Sequence, residues 1–175
     1  KGLPVQTNIR TQEEGGQEMN KTILAIDPGP VNSAFVILTS DGFLSGHGKW
    51  PNADVRELLA NRALISSIVI EEIRSYGMPV GIETFDTVRW VGRFQELAET
   101  RGSSVTLMPR QKVKLHLCQS PRANDAAIRQ ALIDRYGPGK EKAIGTKKEP
   151  GPLYGIKADI WAALALGLTF QETRN

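Results

Sequence analysis

Apolar positions follow two regimes along this chain. Over residues 22–50 they come in short runs broken by turn formers. Residues 22–26 carry no charge and predict a buried strand, which ends at Asp27 and is turned by Pro28-Gly29-Pro30. Residues 34–38 are apolar again, Ser40-Asp41-Gly42 predicts a tight reversal, and residues 43–50 predict a third, shorter strand. Three strands joined by hairpins make an antiparallel start to a sheet.

Helical spacing then takes over. Val55, Leu58, Leu59, Leu64, Ile65, Ile68 and Val69 predict one long helix from Asn52 or Asp54 to about Tyr76, ended by Gly77 and Pro79. Val80-Gly81-Ile82 predicts a fourth strand with Glu83 at its end. Residues 88–100 predict a helix stopped at Gly102, and residues 104–108 a fifth strand closed by Pro109. Residues 113–118 form a short amphipathic piece that suits either type. Residues 123–136 predict a helix closed by Gly137-Pro138-Gly139, and residues 140–152 a mobile loop with little to bury. Residues 156–168 are apolar almost all round except at Asp159, so a helix packed on a sheet is expected there. The fold class predicted is α/β (α+β), with a five-stranded mixed sheet flanked by helices.

With 175 residues the chain suits one domain over 19–175. Residues 1–18, with few apolar positions and Gly15-Gly16, read as an N-terminal tail or expression remnant before a natural start at Met19. No run approaches the ~20 apolar residues of a membrane helix, and no signal-peptide order is visible at the start. Cys118 is the single cysteine, which excludes an intrachain disulfide and a cysteine-based zinc site. A cytoplasmic protein is expected. Charge changes the picture more than composition does. Residues 89–148 hold thirteen Lys and Arg against five Asp and Glu, while the rest of the chain is net acidic. A basic half beside an acidic half suits a polyanionic partner next to a metal centre; a solvated lysine-rich surface is the plainer alternative.

Three acids occupy unusual places: Asp27 at the first strand end, Glu83 at the predicted fourth strand end, and Asp159 near the start of an apolar helix. Carboxylates that share a small space raise each other's pKa and call for cations between them. Hard divalent ions such as Mg²⁺, with Mn²⁺ as a substitute, meet that need through oxygen ligands. Simpler roles stand beside this one: Asp27 capping a turn, Glu83 pairing with Arg89, and Asp159 accepting from backbone N–H groups.

The ordered set Ile26-Asp27-Pro28-Gly29, Ile82-Glu83 and Ala158-Asp159-Ile160-Trp161-Ala162-Ala163 resembles the RuvC-type Holliday-junction resolvases of the ribonuclease-H-like superfamily, over residues 22–170 and closest to their shorter phage-like branch. The Arg101-Gly102 step matches as well, and Asn32 resembles the poxviral and mitochondrial branch. The resemblance implies that Asp27, Glu83 and Asp159 are catalytic and bind two Mg²⁺ ions per site. It also implies a homodimer that nicks a four-way DNA junction symmetrically, with no small-molecule cofactor and no membrane. Three departures stand out. The family's frequent fourth acid, three residues before the last aspartate, is Ile156; Asn124-Asp125 follows Ala123 where bacterial relatives have a lysine; and a usual glycine is Ala34. Asp125 is therefore either a fourth metal carboxylate or a helix cap.

Among the basic residues Arg89, Arg93, Arg110, Lys112, Lys114, Arg122, Lys147 and Lys148, the resemblance points first to Lys114 and Arg122 as phosphate contacts. Lys147 and Lys148 come next, with Arg89 beside the site. Phe85 is a candidate for stacking on an unpaired base at a crossover. The helix predicted up to Tyr76 and the apolar helix at 156–168 are both candidates for the dimer surface. The sequence thus predicts a Mg²⁺-dependent endodeoxyribonuclease acting on Holliday junctions or other branched DNA. A YqgF-like RNA-processing nuclease, a flap nuclease, or a non-catalytic binder of branched DNA are the alternatives.

Overall fold

The computed structural model describes residues 22–61, 65–75, 77 and 79–174; the predicted tail at 1–18 lies outside them. Its elements are β1 (Thr22–Asp27), β2 (Asn32–Leu38), β3 (Leu44–Pro51), α1 (Asn52–Asn61), β4 (Ile65–Glu72), α2 (Ile82–Thr100), β5 (Ser104–Pro109), α3 (Arg110–Cys118), α4 (Asp125–Tyr136), α5 (Lys140–Ala143) and α6 (Ile160–Thr173). The five strands form one sheet in the order β3-β2-β1-β4-β5. The hairpins β1–β2 and β2–β3 are antiparallel, as expected, whereas β4 lies parallel to both β1 and β5.

The long helix expected up to Tyr76 does not exist. It is two elements, α1 and β4, and the strand expected at 80–82 is the lead into α2. Ile65, Ile68, Val69 and Ile70 are β-branched and buried. A parallel strand covered on both faces reads as a nearly continuous apolar run, which over a few residues also satisfies helical spacing. Ile82, by contrast, is 78% exposed, which no central strand residue would be. Two further boundaries move. The last helix starts at Ile160 rather than 156, after Ala158 adopts a positive φ of 42°. The segment expected to be a loop with little to bury carries α5 and a Gly145–Pro150 bridge, and Ala143 within it is completely buried.

Period-two alternation sends β1 into two cores. Ile23 and Ala25 join a cluster with α3, α4 and α6, while Leu24 and Ile26 join one with α1 and α2. Helix α6 lies across β1 and β2 and buries Ala163 through Phe170 without interruption. This burial removes the 156–168 helix as a dimer surface. A Cβ at Gly167 would stand 2.9 Å from Ala25 Cβ and 3.0 Å from Leu38 Cδ1, so the missing side chain is what lets the helix sit so close to the sheet.

That contact gives the first prediction. Gly167→Val would push α6 off β1, and overpacking of this kind costs ~1–3 kcal/mol. A lower urea midpoint with an unchanged denaturant slope is the expected result; an unchanged midpoint would show that the close approach is not required.

Candidate active site

Register fixes the centre of the site. Asp27 pairs with Ala34 on β2, and Ala34 pairs with Lys49 on β3. On the other side Ile26 pairs with Ile70, so Glu71 comes next to Asp27 across the parallel β1–β4 pair. Lys49, Ala34, Asp27 and Glu71 therefore form one row across the sheet, on the face that carries α6. The small Ala34 side chain leaves room for Lys49 to reach over it, and Lys49 Nζ lies 2.5 Å from Asp159 Oδ2.

Three helices on this face begin at the same edge of the sheet, each with a charged residue in its opening position: Arg110 in α3, Asp125 in α4, and Asp159 as the N-cap of α6. Asp27, Glu71, Arg110, Asp125 and Asp159 line one cleft of about 360 Å³, walled by Val113, Ile128, Trp161 and Ala165. Arg110 ties two of the acids together, donating to Glu71 Oε2 at 3.3 Å and to Asp125 Oδ1 at 2.6 Å.

The turn after β1 is held independently of the acids. Ser33 donates to Asn52 Oδ1 at 2.6 Å, Asn52 Nδ2 donates to the Gly29 carbonyl at 2.9 Å, and the Gly29 amide reaches Ser33 Oγ at 3.3 Å. The Gly29 amide is thus satisfied without Asp27. A Cβ at Gly29 would fall 2.3 Å from the Asn32 carbonyl oxygen, so only glycine fits there. Asp159, although an N-cap by position, makes no side-chain cap hydrogen bond. At α4 the cap is Asn124, which accepts from the Ala127 amide, and this frees Asp125 for Arg110.

Glu83 is not part of this arrangement. It sits exposed in the first turn of α2, on a helix that packs on the opposite face of the sheet. An acid there favours the positive end of the helix and needs no other reason. The fourth-strand carboxylate beside Asp27 is Glu71, one residue before the end of β4, which sequence reasoning missed because β4 was hidden in a helical pattern. The signal was present: Ile68-Val69-Ile70-Glu71 repeats the apolar-run-then-acid form of Leu24-Ala25-Ile26-Asp27.

The basic candidates separate in the same way. Lys114 is half-buried on α3, and its charge is felt by Glu71. Arg122 is exposed in the connection to α4, and Lys147 and Lys148 are exposed in the segment after α5. Arg89, Arg93 and Phe85 all lie on α2: Arg89 is paired with Asp86, Arg93 lies over the Trp90 ring, and Phe85 is 55% exposed.

The electrostatics follow from this packing. Burial raises Asp27 to about 7, reinforced by the negative charge of Glu71 and opposed by Arg110. Burial also raises Glu71, against the pull of Arg110. The cleft therefore holds more carboxylate than its surroundings can comfortably ionise, and all of its acidic ligand atoms are hard oxygens, which suits Mg²⁺ or Mn²⁺. Among the described residues, no three His, Cys, Asp or Glu side chains are gathered into a ready metal cage; Arg110 bridges Glu71 and Asp125, and Lys49 pairs with Asp159.

A raised folded-state carboxyl binds its proton where the unfolded chain has released it. In metal-free protein the Asp27 contribution to stability is therefore fullest near pH 4 and is lost as pH rises through about 7. Asp27→Asn is expected to stabilise the metal-free protein at pH 8 by on the order of 2–4 kcal/mol, with the gain shrinking toward pH 5. Chemical denaturation of both proteins at the two pH values measures this, and a gain that does not depend on pH would contradict it.

No protein-family model matches the sequence, and no curated protein matches it. Solved structures do match in shape. A structure of Thermus thermophilus RuvC superposes with a TM-score of 0.59 at 17% identity, covering 85% of this chain and 92% of that one. Thermus thermophilus RuvC in complex with a Holliday junction substrate superposes with a TM-score of 0.62 at 18% identity, with the same coverage. At that identity the likeness is one of fold: a ribonuclease-H-like mixed five-stranded sheet flanked by helices.

Proposed function

We propose that the protein is a divalent-metal-dependent endonuclease selective for branched DNA, with the four-way junction as its main substrate. One observation carries the reading. Asp27 and Glu71 are neighbours on parallel strands, and the starts of α4 and α6 bring Asp125 and Asp159 into the same cleft. Such a concentration of acid at a sheet edge has no structural benefit unless cations share it.

In this reading Asp27, Glu71 and Asp159 hold Mg²⁺ or Mn²⁺, two ions per site, with Asp125 as a further oxygen donor. Bound ions of this kind activate water and stabilise the departing oxygen of a phosphodiester. The chain's own groups do the rest. The Ser33–Asn52–Gly29 network holds the turn that directly follows Asp27. Arg110 keeps Glu71 and Asp125 on one side of the cleft, and Lys49 keeps Asp159 on the other. Lys114, Arg122, Lys147 and Lys148 supply phosphate contacts that position DNA without reading its sequence. The RuvC neighbour solved on a Holliday junction substrate supports branched DNA as the partner.

A symmetric junction is resolved by two nicks, which fits a homodimer with one site in each copy. Ile82, Phe85 and Val88, exposed by 78, 55 and 47% along α2, are apolar positions open to a second copy or to an unpaired base. Among the described residues no helix is long and apolar enough to cross a membrane.

The test is a nicking assay on a labelled four-way junction in Mg²⁺, with flap and RNA substrates alongside. Asp27→Asn and Glu71→Gln are each expected to lower nicking by on the order of 100-fold or more while junction binding is kept. Glu83→Gln should nick like wild type. Full activity in Glu71→Gln would sink the assignment of the site, and preferential cutting of flap or RNA would change its substrate.

A further inference from the structure

A second cleft of about 430 Å³ adjoins the carboxylate cleft, and the two share Asp125, Ala158 and Trp161 as a common wall. Beyond that wall lie Arg129 and Lys140. Arg129 is exposed on α4 with its Cζ 4.8 Å from the centre of the Trp161 ring. Among the described residues it has no carboxylate partner. Asp125, one helical turn before it and the natural partner by spacing, is taken by Arg110 instead. Trp161 belongs to α6 two residues after Asp159 and is anchored in the core that α6 builds. An arginine laid on a fixed indole is restricted in direction without being neutralised. Its free donors therefore remain available to an anion beside the acidic cleft.

We infer that Arg129, laid on Trp161 and assisted by Lys140, is a positioning residue that takes a backbone phosphate flanking the one presented to the carboxylates. This rests on the nuclease reading above and deepens it by naming how the strand is held in line. The chemistry is complementary: the acidic cleft repels a phosphate, and an unneutralised guanidinium on the other side of a shared wall holds the next one. Trp161 stands here because α6 starts at Ile160, directly after its N-cap Asp159, so the same helix end serves both clefts.

The experiment uses the full chain, first without metal. Junction binding is measured across a salt series for wild type, Arg129→Gln, Arg129→Lys and Arg56→Gln. Arg56 is exposed on α1, on the other face of the sheet, and controls for overall charge. Loss of one phosphate contact lowers the slope of log affinity against log salt by about 1. That drop is expected in Arg129→Gln alone, with Arg129→Lys keeping the wild-type slope. A second measurement replaces single phosphates near the nick by neutral methylphosphonate. Wild type should nick more slowly at one flanking position, and Arg129→Gln should show no further loss there. Equal slope changes in Arg129→Gln and Arg56→Gln, or undiminished methylphosphonate sensitivity in Arg129→Gln, would overturn the inference while leaving the nuclease reading in place. Wild type that binds no branched DNA would overturn both.

Discussion

Two carboxylates side by side on parallel strands, Asp27 and Glu71, set the terms for everything around them. Parallel pairing leaves no freedom in the matter: once Ile26 is opposite Ile70, the next residues are adjacent and on the same face. Burial then makes their ionisation costly, each in the field of the other. The surroundings respond with positive charge brought in from a distance in sequence. Lys49 arrives from the far side of the hairpin sheet across Ala34, and Arg110 arrives at the first turn of α3, directly after β5. Even so Asp27 stays raised to about 7, so two side-chain cations do not fully offset its burial and the neighbouring acids. A site left in that condition is one in which further cations are favourable.

The sheet and the face carrying α6 share one geometric origin. Strands β1 and β4 are parallel and end at the same edge. The three helices that cover them there, α3, α4 and α6, all begin at that edge. Helix starts leave backbone N–H groups unpaired and carry partial positive charge, which makes the edge tolerant of carboxylates and of phosphates alike. The opposite face, built from α1 and α2 on Leu24, Ile26, Phe35 and Ile37, holds the sheet together and carries none of these acids.

How much of this was legible in the residues depends on how long and how isolated each signal is. The hairpins of β1, β2 and β3 were readable because turn formers bracket each apolar run, and Asp27 and Asp159 were readable as acids with apolar neighbours on nearly every side. Asp125 was visible only as a position with two competing roles, and the capping role is taken by Asn124. Glu71 was not found because the apolar positions of 55–61 and 65–69 together satisfy helical spacing while belonging to a helix and a strand. Periodicity is a property of a window, and a short helix followed closely by a short buried strand fits inside one. Placing β4 wrongly moved the expected acid twelve residues along, onto Glu83. The pairing of Arg110 with both Glu71 and Asp125 had no local signal at all, since it joins three elements that only the sheet order brings together.

The basic excess of residues 89–148 also changes meaning once it is folded. As a number it suggests a uniform polyanion-binding surface, but the chain divides it between two faces and several uses. Arg110 is engaged inside the cleft, and Arg89 is engaged by Asp86 on α2. Arg93 and Arg129 both lie on indole rings, one over Trp90 on the α2 face and the other over Trp161 beside the acids. The same cation–π contact therefore has different consequences: Trp90 also packs against Phe94 in the core under α2, whereas Trp161 walls two clefts at once. What distinguishes the two arginines is the face of the sheet on which each stands, so position relative to the row that holds Asp27 and Glu71, more than net charge, decides which cations lie beside the acids.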